Sequence, residues 1–169
     1  MAKAKKKTGE NSAAPAPTYL LVVDSSEEFQ IALVYAAKLA QANGARLALL
    51  HALDKEGFFQ HWGSVQERLH EEYREEAEQE LLSAVSVINE RSASLPVLYL
   101  EEAGNLSEKI LDIIENDPNI TKLILGGAAH SKTPGPLVSY FSGKGLNKLR
   151  VPLTVVPGNM TEDCIDKLI

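Results

Sequence analysis

The sequence predicts an open α/β domain, a parallel sheet of five strands with helices on both faces. Three observations carry this. Short, branched, apolar runs recur along the 169 residues, and YLLVV (Tyr19–Val23) reads as a strand buried on both sides. Segments of helical period separate these runs, so strands and helices alternate over the whole chain. The first strand, helix and strand have the spacing of a βαβ unit, which requires parallel pairing.

After Tyr19–Val23 the acidic stretch Asp24-Ser25-Ser26-Glu27-Glu28 interrupts the apolar run. Ser25 and Glu28 have capping-box spacing, which predicts a helix to about Asn43, stopped by Gly44 in the left-handed region. RLALLHAL (Arg46–Leu53) is the second strand. The loop DKEGFFQHWGS carries three large aromatics, read as a lid over the sheet or as a docking surface. Ser64 and Glu67 form a second capping box. Val65, Leu69, Tyr73, Ala77, Leu81, Ala84, Val85 and Ile88 then recur at helical spacing, with glutamates on the solvated side. Pro96–Glu101 is the third strand, and Asn105 or Ser107 caps a helix to about Glu115. Lys122–Leu125 is the fourth strand, a short helix lies between Ser139 and Leu149, and VPLTVV (Val151–Val156) is the fifth strand.

Composition narrows the function classes. An apolar fraction of 44% supports a genuine core in one domain. The formal charge of −6 argues against a nucleic-acid surface, which needs a basic stripe. No apolar run reaches the length of a membrane span, and the single cysteine, Cys164, fits a reducing, cytoplasmic compartment. Residues 1–17 combine four lysines with Ala, Pro and Ser and have no apolar period, so they read as a disordered basic tail. The domain spans 18–157, and residues 158–169 read as a C-terminal tail.

In an open α/β sheet, ligands sit in the crevice beyond the carboxyl ends of the strands. Two such ends are distinctive here: the first strand delivers Asp24 and the fourth delivers Gly126-Gly127. The stretch LILGGAAHSKTPGPLVSYFSGKG adds Ser131, Lys132, Thr133, Ser139, Ser142 and Lys144, donors suited to phosphate oxygens, although Gly and Ser also serve ordinary turns. Ser142-Gly143-Lys144-Gly145 lacks the spacing of a Walker loop, and no G-x-G-x-x-G follows the first strand. His51, His61, His70 and His130 have no ligand-like spacing and read as surface or loop histidines. No nucleophile has a visible base.

VVDSSEEFQIALVYAAKLAQANGARLALLHAL, LILGGAA and VPLTVVP together resemble the universal stress protein family from about Thr18 to Pro157. The resemblance implies strand order 3-2-1-4-5, a homodimer, and a role in stress resistance or regulation more than catalysis. In one subclass it also implies ATP bound between strands one and four. That subclass carries Gly-x2-Gly-x9-Gly-Ser/Thr after the fourth strand. Gly126 matches its first position, but Ala129 and Ser139-Tyr140 stand at the others. A shifted register would use Gly127, Gly135 and Ser142-Gly143 instead. The reading is therefore a regulatory dimer with an adenine-nucleotide crevice. Its alternatives are an interaction protein that binds no nucleotide and, last, a slow ATP hydrolase. Pairing of the dimer along Pro152–Pro157 follows from the prolines flanking that strand and from the resemblance. If register is the sole defect, Ala129→Gly with Tyr140→Ser tightens ATP binding.

Overall fold

The structure, a computed structural model, describes residues 15–54, 64–91 and 95–169. The lysines of the basic segment, the FFQHW stretch and the side chains of the second capping box lie outside the described residues.

Five strands form one sheet: β1 (Thr18–Val22), β2 (Arg46–Asp54), β3 (Val97–Ala103), β4 (Ile120–Gly127) and β5 (Leu153–Pro157). Their order is β3-β2-β1-β4-β5, and every pairing is parallel, as the sequence predicts. β1 is buried throughout because helices cover both faces. Tyr19, Leu21 and Val23 join one core with Phe29, Ala36 and Ile88. Leu20 and Val22 join the other with Ile110, Ile114, Leu123 and Phe141.

α1 (Glu27–Ala42) and α2 (Ser64–Arg91) lie on the first face. The buried side of α1 is rich in alanine (Ala32, Ala36, Ala37 and Ala40), which lets its backbone approach the sheet closely. Gly44 adopts φ 62° after the helix, the expected left-handed stop. The start of α1 differs from the expectation. Ser26, not Ser25, is the N-cap, accepting the Phe29 N–H at 3.2 Å. The Ser26 N–H donates in turn to Asp24 Oδ1 at 3.0 Å, so Asp24 does the work that a capping box assigns to glutamate.

α2 buries Ala77, Leu81, Ala84 and Ile88 as its period predicts, but Tyr73 is 51% exposed. Among the described side chains of α2, the apolar stripe is buried from Ala77 to Ile88, where the helix packs on α1 and β2.

α3 (Leu106–Asn116) and α4 (Pro136–Phe141) cover the second face. Asn105 caps α3 through the Glu108 N–H. α4 begins earlier than expected because Pro136 occupies its first turn, where a missing N–H costs nothing. A 3-10 turn at Leu146–Lys148 replaces the rest of the expected helix.

Two further expectations are corrected. Residues 158–169 are not simply a tail: Thr161 caps α5 (Glu162–Leu168), whose Ile165 is fully buried. Lys38 of α1 bonds Asp166 and lies 3.0 Å from Glu162, and Arg91 of α2 reaches Glu162 at 3.5 Å. His51 is neither a surface nor a loop histidine. It stands on β2 with its side chain largely buried, and its Nε2 lies 2.8 Å from Glu80 Oε2 of α2. Ser25 donates to the other oxygen of Glu80 at 2.8 Å, so one carboxylate ties the β1–α1 connection to both β2 and α2. With Nε2–H donating to Glu80, Nδ1 is buried with no partner among the described residues.

Candidate functional site

β1 and β4 are neighbours whose following helices, α1 and α4, lie on opposite faces. Their carboxyl ends therefore part and leave a crevice, the place where open α/β sheets hold ligands. A pocket of about 170 Å³ occupies it. Val22, Leu125, Leu106, Leu137 and Val138 form an apolar wall, with Pro134 and Pro136 at the loop side. Its charged lining residues are Asp24 and Glu28, and no lysine, arginine or histidine is among them.

Of the nine predicted site residues, the pocket gathers Asp24, Gly126 and Gly135. Gly127, Ser131, Thr133, Ser139, Ser142 and Gly143 do not line it. Several of these have other work. Ser131 Oγ accepts the Thr133 N–H at 3.3 Å, and Ser142 Oγ donates to the Val138 carbonyl at 2.6 Å. Both bonds are local turn chemistry.

The glycines likewise answer to the protein's own packing. A Cβ on Gly126 would lie 2.8 Å from the carbonyl oxygen of Glu28, so this glycine lets the first turn of α1 rest on the end of β4. A Cβ on Gly127 would meet Val155 at 3.0 Å, and one on Gly143 would meet the Ser139 carbonyl at 3.0 Å. Gly135 has φ 99°, which turns the chain between two prolines into α4. Tyr140, at the family's final motif position, is packed within the domain. Its ring meets Phe141 edge-on at 5.0 Å and covers Gly145, where a Cβ would fall 2.2 Å from the ring.

Sequence reasoning missed Glu28 and the pair Pro134 and Pro136 as pocket residues. Capping-box spacing places Glu28 at the helix cap, whereas with Ser26 as the N-cap it stands among the residues that line the crevice. The run Thr133-Pro134-Gly135-Pro136 was the available signal for a tight, closed loop.

The universal stress protein family model matches residues 18–157. This chain belongs to the universal stress protein family. No curated protein matches it. Among solved structures, universal stress protein UspA from Lactobacillus plantarum superposes with TM-score 0.67 at 21% identity, over 85% of this chain and 99% of that one. A family protein from Burkholderia pseudomallei gives 0.64 at 21%, over 83% and 95%. The universal stress protein from Archaeoglobus fulgidus in complex with dAMP gives 0.57 at 18%, over 83% and 97%. At these identities the likeness is one of fold, and this chain's crevice is judged on its own residues.

Proposed function

We propose that this universal stress protein is a stress-response regulator that acts as a homodimer through its surfaces, without a tightly held triphosphate. The crevice carries the reading. Its 170 Å³ falls below the roughly 300–1,000 Å³ usual for small-molecule sites. Two carboxylates line it where a polyphosphate needs cations or free N–H groups. Glu27 and Glu28 fill the first turn of α1 and offset the positive end of its dipole. Phosphoryl transfer would require a charge clamp that this lining does not supply.

Support for the dimer comes from β5. Its one partner in the sheet is β4, and Val155 is 38% exposed on it. An open apolar edge of this kind is stabilised by pairing with a second copy.

A second reading, an adenine monophosphate in the crevice, is favoured by Asp24 at the end of β1 and by the Archaeoglobus neighbour that is described with dAMP. Mass spectrometry of small molecules released on denaturing the purified protein separates the two. The first reading predicts no stoichiometric nucleotide. One AMP per chain establishes the second, and one ATP per chain refutes both.

A further inference from the structure

We propose that α5 is a C-terminal strap occupying, in cis, a docking seat on α1 and α2 for a partner's short acidic helix with one branched apolar anchor. This rests on the reading that the protein acts through its surfaces, and adds the partner's chemistry and a means of control. α5 begins at Glu162, beyond the 18–157 span that the family model matches. Its seven residues are too few to hold a helix in isolation, so its cap and its packing keep it formed.

That packing is slight. α5 lies on α1, and Ile165 is its one buried residue. Upstream the chain is fixed: the Gly158 N–H donates to the Gly127 carbonyl at 2.8 Å, and Met160 packs against the core that α1 and α2 share with the sheet. The residues after Met160 can therefore lift away while the sheet stays closed. Elements with few buried contacts open locally at the low-stability end of a fold.

The seat is defined by what α5 presents to it. Lys38 of α1 bonds Asp166 and Glu162 of α5 and has no other ion-pair partner among the described residues. Its side chain is only 20% exposed. Arg91, at the end of α2, meets its neighbour Glu90 and reaches Glu162 at 3.5 Å. Release of α5 leaves these two partly buried cations beside the uncovered site of Ile165. Glu162, Ile165 and Asp166 share one side of the helix, at spacings of three and four. A partner helix with that pattern of acid, branched aliphatic and acid restores both the burial and the charge pairing, which a basic or wholly apolar helix does not. The tether gives α5 a high effective concentration, so it excludes the partner until it is released.

Two measurements on the full chain test this. Hydrogen exchange is expected to show the α5 amides opening at least ten-fold more often than those of β1 and β4. A labelled peptide of residues 159–169, kept reduced, is titrated by anisotropy against wild type and Ile165→Asp. The variant is expected to bind it saturably, and wild type at least ten-fold more weakly because its own α5 holds the seat. Peptides carrying Ile165→Asp, or Glu162→Lys with Asp166→Lys, are expected not to bind. If Ile165→Asp unfolds the chain, Ile165→Ala replaces it with the same expectation. Exchange of α5 only together with the strands, equal binding by the two chains, no binding by either, or indifference to peptide charge overturns the proposal and makes α5 a fixed part of the fold. Stoichiometric nucleotide on the purified protein would refute the surface reading separately, since neither measurement involves the crevice.

Discussion

Gly126 shows how a residue that resembles part of a ligand motif answers first to packing. Any side chain there would press on the carbonyl of Glu28, in the rigid first turn of α1. Gly126→Ala is expected to destabilise by about 1–3 kcal/mol through this overpacking, read as a lower urea midpoint with unchanged slope. Tyr140 gives the complementary case. Its ring covers Gly145 and meets Phe141, so Ala129→Gly with Tyr140→Ser opens a gap where the sequence alone suggested a repaired motif. The double variant is expected to lose about 1–3 kcal/mol of stability and to gain no ATP affinity, checked by melting and calorimetry together. Tightened ATP binding in that variant would show that motif register is the sole defect after all.

At the scale of elements, α5 carries the next expectations. Ile165 is fully buried at the centre of its single face, so Ile165→Ala should cost roughly 2–4 kcal/mol, and its urea midpoint measures this. Lys38 is held above its ordinary pKa by hydrogen bonds to Asp166 and then Glu162, and Glu162 is held below its own by Lys38. A lowered acid stabilises above its unfolded value near 4.5 and loses that contribution as pH falls through its folded value. A raised lysine stabilises below 10.5 and loses it as pH rises through its folded value. The difference in melting temperature between wild type and Lys38→Met should therefore be present near neutrality and narrow in acid. It is small throughout, because the Glu162 and Asp166 carboxylates are exposed and screened.

Elements with a long period were legible in the sequence: α1 and α3 with their caps in the neighbourhood of Ser26 and Asn105, and β1 from its continuous apolar run. α5 was not, because Ile165 alone marks its buried face and seven residues hold too few turns for a period to show. The helical period on α2 includes Tyr73, which is 51% exposed, because spacing alone does not report what a helix face packs against. Asp24, Gly126 and Gly135 were readable as crevice residues from strand ends and turn chemistry. Glu28 was not, because its place depends on a cap shifted by one residue.

For the molecule as a whole, the alternation of strands and helices makes the parallel α/β class legible, the family resemblance implies the strand order that is observed, and the crevice between β1 and β4 follows from that order. If β5 pairs with a second copy as proposed, light scattering at micromolar concentration should give twice the chain mass. Leu153→Lys with Val155→Lys should give monomers that remain folded, since both side chains lie on the outer strand with part of their surface free. The proposal that the crevice between β1 and β4 holds no triphosphate is put to the test by titrating the full chain with magnesium ATP in a calorimeter. No saturable heat at micromolar protein is predicted. Saturation at one ATP per chain with micromolar or tighter affinity, lost in Asp24→Ala, would contradict it.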